Sequence, residues 1–113
     1  MSMSPLRLNY IIEAAGVSFD QYVPIGEEGF GLVAKLKTSD FANGPTITLN
    51  IYDVDGDLLF TKAGYVHNTL YVIYLQDVEL KATPIMAGAR INLTLSGAAG
   101  AGGGTASVVL YVA

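Results

Sequence analysis

At 113 residues and 11.9 kDa, the chain is long enough for one two-layer domain, expected over residues 1–113, and too short for two. Its net charge of −4 and six dispersed Lys and Arg residues argue against nucleic-acid binding, and the absence of cysteine excludes disulfides, thiolate nucleophiles and Cys-ligated zinc. With no secretion signal and no run of about 20 apolar residues, the sequence predicts no membrane segment and a reducing cytosol as the default location.

The first third of the chain alternates apolar and polar residues with the period of two that is typical of β-strands. Residues 6–14 predict a first strand that ends at Gly16, and residues 17–23 predict a weaker second strand. A third strand is expected over residues 30–37. In this third strand one face should carry the following side chains: Phe30, Leu32, Ala34 and Leu36.

Residues 45–64 predict a β-hairpin around which the other strands are arranged. The Asp55-Gly56 pair tolerates positive φ, so it predicts a two-residue primed turn between two strands. This turn fixes the register and therefore two cross-strand pairs: Phe60 opposite Ile51, and Leu59 opposite Tyr52.

The second half of the chain continues as strands and turns. Residues 70–80 predict a strand that is apolar on both faces at its start, and residues 81–88 predict a loop. Residues 90–96 and 106–112 predict the last two strands. Between these two strands lies GAAGAGGG, residues 97–104, which predicts a flexible surface loop because glycine has high backbone entropy.

About eight short strands separated by turn signals predict an all-β fold. The expected architecture is a single β-sandwich of antiparallel strands with a jelly-roll or related Greek-key arrangement. An up-and-down barrel is the structural alternative. No helical periodicity appears anywhere in the chain.

Two groups of residues suggest chemistry, and both have simpler structural interpretations. Asp53, Asp55 and Asp57 resemble an acidic calcium loop, but they lack EF-hand spacing and flanking helices, and a hairpin turn explains them. They could still offer two or three oxygens to an ion. His67 is the only histidine and is expected in a loop or at a strand edge. Without a nucleophile elbow or a phosphate loop, the sequence predicts no catalytic residue, no cofactor and no metal ligand.

Seven tyrosines and no tryptophan favour an interaction surface, because tyrosine combines a large apolar body with a polar tip. Three interpretations are open: a second hydrophobic face covered by loops, a subunit interface, and an aromatic platform for sugar rings. Charged residues make up only 14% of the chain, against about 25% in ordinary soluble domains, which favours the subunit interface. The candidate interface residues are Val33, Tyr52, Leu59, Tyr71, Ile73, Val109 and Tyr111.

Two segments, GPTITLNIYDVDGDLLF (44–60) and GARINLTLSGAAGAGGGTASVVLYV (88–112), together with the acid-poor strands, carry a resemblance that covers residues 30–113. This part of the chain resembles small β-sandwich proteins of tailed-bacteriophage virions, particularly head decoration or cement proteins. The resemblance implies a non-enzymatic virion protein, assembled in the host cytoplasm and located on the capsid surface. It also implies a homo-oligomer, most simply a trimer, that binds the major capsid protein and stabilises the head. The alternatives are a carbohydrate-binding β-sandwich module and a tail or fibre receptor-binding domain.

Overall fold

The computed structural model describes residues 4–75 and 82–113, and these residues form nine strands and no helix. Within this part of the chain, therefore, no helix is long and apolar enough to cross a membrane. The strands are β1 (Ser4–Ile12), β2 (Ser18–Tyr22), β3 (Gly29–Thr38), β4 (Thr46–Tyr52), β5 (Leu58–Val66), β6 (Leu70–Tyr74), β7 (Thr83–Ile85), β8 (Arg90–Leu95) and β9 (Gly104–Val112).

The strands form two antiparallel sheets. Sheet A has the order β1-β9-β3-β6, with β7 also beside β3, and sheet B has the order β2-β8-β4-β5. Strands β6 and β7 lie end to end along β3, opposite residues 33–37 and 29–31, so the nine strands fill eight positions. Strands β1 and β9, β2 and β8, β3 and β6, and β4 and β5 pair as in a folded antiparallel ribbon. This is the strand order of a jelly roll, which confirms the predicted β-sandwich.

The core lies between the sheets and is built from the inward-facing residues of both. Ile47, Leu49 and Ile51 of β4 are fully buried, as their alternation predicts. Tyr10 of β1 crosses the core, and its hydroxyl donates to the carbonyl oxygen of Ile91 in sheet B at 2.8 Å. Burial raises the pKa of Tyr10, and the nearby Asp20 carboxylate raises it further. The two layers are thus joined by a hydrogen bond as well as by apolar packing.

The predicted face of the third strand is wrong at its start. The register between β3 and β9 shifts between Gly31 and Val33, so one extra residue lies in β3. Such a bulge reverses the alternation of side chains on its far side. Ala34 and Leu36 are buried as predicted, but Phe30 faces outward and is 58% exposed.

The central hairpin forms, but its turn differs from the prediction. Gly56 donates to the Asp53 carbonyl oxygen at 3.1 Å, Asp53 donates to the Asp57 carbonyl oxygen at 2.9 Å, and Gly56 alone of the Asp55-Gly56 pair has positive φ. The loop therefore contains three residues, not two, and ends in a left-handed glycine. A register shift between Ile51 and Tyr52 offsets the extra loop residue, so the strands beyond it pair at Ile51 as predicted. One predicted pair is confirmed and the other is wrong: Phe60 lies opposite Ile51, whereas Tyr52 lies opposite Leu58 and not Leu59.

The predicted strand over residues 70–80 and the predicted loop over residues 81–88 also differ from the structure. Strand β6 ends at Tyr74, and residues 76–80 lie outside the described residues. A short strand, β7, occupies Thr83–Ile85 inside the predicted loop. The Thr83 hydroxyl donates to the Leu75 carbonyl oxygen at 2.8 Å, so β6 and β7 are held together where they meet on β3.

The glycine tract forms the predicted loop between two strands, and backbone hydrogen bonds connect it to neighbouring segments. Gly100 donates to the Ala14 carbonyl oxygen at 3.0 Å, Asn43 donates to that of Ala99 at 2.9 Å, and Ala99 is fully buried. Gly103 has φ +55, and a Cβ there would lie 2.1 Å from the Ile12 carbonyl oxygen. The glycine at this position allows a close approach of two backbones.

Candidate interaction surface

Three of the predicted interface residues lie on the outer face of sheet A. Val33 and Tyr111 are paired in register and are half-buried. Val109 also faces outward, because its neighbours along β9 point into the core, yet it is only 5% exposed. It lies in register between Arg7 and Lys35, whose aliphatic stems are suited to covering it.

Tyr71 and Ile73 do not face outward, so their predicted placement is wrong. Ile73 is 2% exposed and belongs to the core, and Tyr71 packs against the core. The Tyr71 hydroxyl accepts the backbone N–H of Val66 at 2.9 Å, and its ring lies 4.8 Å from that of Tyr65. Both sets of alternating residues in β6 are apolar, so the sequence pattern carries no signal that selects the inner face.

The outward residues of β6 are the ones that the sequence analysis missed. Leu70, Val72 and Tyr74 are 55%, 61% and 70% exposed, and they follow one another along the same face. Phe30, turned outward by the bulge in β3, lies on this face as well. We call these four residues the apolar surface of sheet A.

Three positive charges lie on the same outer face. Arg7, Lys35 and Lys37 are half of the six Lys and Arg residues in the chain, and the sheet brings them together although they are dispersed in sequence. No acidic residue occupies an outward position in the described strands of sheet A. The face is therefore apolar and basic, on a protein whose net charge is −4.

Tyr52 and Leu59, the last two predicted interface residues, lie in sheet B. Tyr52 is half-buried, and the guanidinium carbon of Arg90 lies 4.1 Å from the centre of its ring. This cation–π contact covers one face of the ring. Leu59 is 39% exposed at the irregularity in β5. The seven candidates thus occupy three environments and do not form one surface.

The outer face of sheet B is polar, and its side chains bond to one another. Asp20, Asn92, Asn50 and Thr61 lie side by side on β2, β8, β4 and β5. Asn92 donates to Asp20 Oδ1 at 2.7 Å, Asn50 donates to Asn92 Oδ1 at 3.1 Å, and Thr61 donates to Asn50 Oδ1 at 2.6 Å. This network satisfies hydrogen-bonding groups at the centre of the outer face of sheet B.

A groove of about 600 Å³ runs over the end of sheet A. Its lining side chains include Asn9, Ile11, Lys37, Asn68 and Thr105. The aromatic residue among its lining is Tyr10, which is 2% exposed and directs its hydroxyl into the core. A groove without an accessible ring does not provide the stacking surface of a sugar platform.

The aspartates of the hairpin tip come close together, but one of them is engaged by the turn. One oxygen each from Asp53, Asp55 and Asp57 lies within 4.8 Å of the others, and among the described residues no other group of three potential ligands does so. Asp53 Oδ1 accepts the backbone N–H groups of Asp55 and Asp57, each at 2.9 Å. The turn explains the cluster, and the absence of a metal site stays a prediction.

His67 has a structural role. Its Nδ1 accepts the backbone N–H of Phe41 at 2.9 Å, and its ring stacks on that of Phe41 with centroids 5.9 Å apart. Asp40 Oδ1 lies 3.2 Å from the same nitrogen. His67 therefore joins the β5–β6 connection to the β3–β4 connection.

Comparison with known proteins does not identify a family. No protein-family model matches the chain, and no curated protein matches its sequence. Among solved structures, it is similar to a family two carbohydrate esterase from Cellvibrio japonicus, with TM-score 0.43 and 11% identity over 98% of this chain and 34% of that chain. The C-terminal domain of A223, a structural protein from sulfolobus turreted icosahedral virus, has TM-score 0.38 and 16% identity over 94% and 99% of the two chains. The VP2 subviral particle of infectious bursal disease virus has TM-score 0.41 and 13% identity over 97% and 32%. The chain spans about a third of the esterase and VP2 chains, and these values are too low to carry an argument about function.

Proposed function

We propose that the protein is a non-enzymatic structural protein of a virion, a decoration or cement protein that adheres to the capsid and stabilises it. The observation that carries this proposal is the apolar surface of sheet A. Its four large side chains are between 55% and 70% exposed on one side of one sheet, while the outer face of the opposite sheet carries the polar network at its centre. An exposed apolar patch of this kind marks an interaction site in a soluble domain.

Burying one fully exposed large apolar side chain contributes about 1.5–3 kcal/mol. The four residues of the apolar surface are 55–70% exposed, so burying them contributes roughly 4–7 kcal/mol, from which the free-energy cost of association is subtracted. The chain exposes 6110 Å², and two standard contacts of about 800 Å² each would cover roughly a quarter of that area. A homo-oligomer with two contacts per copy, most simply a trimer, follows as the proposed state.

The capsid contact is proposed for the end of the sandwich where two connections meet. Residues 39–45 and 96–103 lie together there, joined by the bond from Asn43 to Ala99 and by a second one from the Asn43 amide to the Ala98 carbonyl oxygen at 3.3 Å. Loops held by a rigid scaffold are suited to binding. Each oligomer would bring several such ends to the major capsid protein, so modest affinity per contact is multiplied.

The alternative is a carbohydrate-binding module or a tail or fibre receptor-binding domain, and one observation favours it. Tyr22, Arg90 and Tyr52 lie side by side in sheet B, and Tyr22 is 59% exposed. Such a row can stack on one sugar ring and donate hydrogen bonds to its hydroxyls. This function predicts a monomer that binds a glycan, whereas capsid adhesion predicts an oligomer.

Co-sedimentation tests the proposal. The purified protein is mixed with undecorated capsids of the virus that encodes it, and we expect it to pellet with them. The double variant Val72→Ser, Tyr74→Ser should lose most of this binding because it loses the oligomer. The control is Tyr22→Ser, which matches the Tyr74→Ser change at an exposed tyrosine of sheet B. Failure of the wild-type protein to pellet, combined with specific binding to a glycan array that Tyr22→Ser abolishes, would establish the alternative.

A further inference from the structure

The charges of sheet A restrict how two copies can meet. In a two-fold dimer each copy uses the same patch, so the apolar surfaces would face each other. Arg7, Lys35 and Lys37 of one copy would then lie beside the same residues of the other. Like charges brought together at an interface cost several kcal/mol. The apolar surface therefore needs a partner that is apolar and acidic.

The chain itself carries such a surface at the tip of the β4–β5 hairpin. The tip bears the carboxylates of Asp53, Asp55 and Asp57. Its exposed apolar side chains follow directly: Val54 at 52%, Leu58 at 49% and Leu59 at 39%. A Cβ built on Gly56 meets nothing within 4 Å, so the tip is open at Gly56, while Val54 lies beside the turn at Gly88.

We propose that the hairpin tip of one copy docks on the apolar surface of sheet A of the next copy. Val54 and Leu58 would pack against Val72 and Tyr74, and the tip carboxylates would lie near Lys35 and Lys37. This inference rests on the proposed function, because it describes how the proposed oligomer is joined.

The contact is heterologous, because each copy contributes its hairpin tip to one neighbour and its apolar surface of sheet A to another. Repeated heterologous contacts close into a ring when the rotation permits, and three copies related by a three-fold axis give the proposed trimer. Because the rim of the contact is made of exposed opposite charges, the association should weaken as ionic strength rises. Each copy then buries both its tip and its apolar surface.

A charge-swap experiment tests this contact by light scattering at micromolar concentration. The double variant Lys35→Glu, Lys37→Glu reverses the charge of the outer face of sheet A and should raise the dissociation constant of the oligomer by about tenfold or more. Reversing the tip with Asp55→Lys, Asp57→Lys should have the same effect. Both tip positions are exposed, and Asp53, which holds the turn, is kept. Combining all four substitutions in one chain should restore the oligomer, because the opposite charges meet again.

Two controls separate this contact from a general effect of charge. Lys62→Glu and Glu27→Lys reverse exposed charges outside both surfaces and should leave the oligomer unchanged. An oligomer that withstands both double reversals, or one that the fourfold variant fails to restore, would overturn the tip-to-face contact and leave the proposed function standing. A wild-type protein that is monomeric would overturn the proposed oligomer itself.

Discussion

The buried amide of Asn92 allows a sharp prediction about the polar face of sheet B. Asn92 is 2% exposed, and its Nδ2 donates to Asp20 Oδ1 at 2.7 Å and to Ser18 Oγ at 2.9 Å. Asn92→Asp keeps the shape of the side chain and replaces this donor with an oxygen that faces the Asp20 carboxylate. The substitution therefore removes a hydrogen bond and creates a like-charge contact at the same atom.

The expected loss of stability follows from two terms. A hydrogen bond to a charged group contributes about 1.5–3 kcal/mol. Two carboxylates at about 4 Å repel each other by about 4 kcal/mol at an effective dielectric constant near 20. The Asp20 side chain is 34% exposed and can turn toward water, which relieves most of the second term. We expect Asn92→Asp to lower the free energy of unfolding by about 3 kcal/mol at neutral pH.

The stability of the Asn92→Asp variant should depend on pH. Burial beside Asp20 raises the folded-state pKa of the introduced carboxyl above its unfolded value of about 3.9. The variant is therefore closest to the wild type below about pH 4, and its deficit grows as the pH rises through the folded-state pKa.

Urea unfolding at a fixed protein concentration measures the effect, with Asn9→Asp as the control at an exposed position of β1. The control should change stability by less than about 0.5 kcal/mol. Adding Asp20→Asn to Asn92→Asp should recover about 2 kcal/mol, because an amide can again face a carboxylate. Equal losses in Asn92→Asp and Asn9→Asp, or no recovery in the double variant, would refute the network.

Three further predictions concern the core, the glycine tract and the hairpin tip. Gly103→Ala should cost roughly 3 kcal/mol or more, since its Cβ would meet the Ile12 carbonyl oxygen at 2.1 Å. Gly102 also has positive φ, but a Cβ there would meet no other atom, so Gly102→Ala should lower the free energy of unfolding by only about 1–2 kcal/mol. Equal shifts of the thermal midpoint in the two variants would contradict the close approach at Gly103. Because burial raises the pKa of Tyr10, the folded protein should lose stability above about pH 10, where the unfolded tyrosine ionises. Tyr10→Phe should flatten this decline by up to about 1.4 kcal/mol per pH unit, and parallel curves would refute the assignment. Calcium should leave the thermal midpoint unchanged, whereas a concentration-dependent rise would show that Asp53, Asp55 and Asp57 bind the ion.

Alternation and turn chemistry were sufficient to predict the sandwich. Ile47, Leu49 and Ile51 point into the core as their period of two requires, and Phe60 pairs with Ile51. The prediction of which residues face the core fails at β-bulges. Each bulge reverses the two faces of its strand, and the alternation pattern of the sequence does not show where a bulge lies. Phe30 became exposed for this reason, and Leu59 lost its predicted partner.

The candidate surface was harder to predict than the fold. In β6 both alternating sets are apolar, so only packing decides that Ile73 lies inside and Val72 outside. The basic character of the outer face depends on strand order, which places Arg7 two strands away from Lys35. Local sequence contains no information about that distance, because β9, which separates them, lies at the far end of the chain.

The solution mass of the wild-type protein decides whether the chain assembles into the proposed trimer. Sedimentation equilibrium at micromolar concentration and low salt should give a single species with three times the 11.9 kDa mass of one chain. The variant Val72→Ser, Tyr74→Ser should shift this mass toward that of one chain, because it removes the apolar contact. A wild-type protein that sediments as an 11.9 kDa monomer under these conditions would contradict the account.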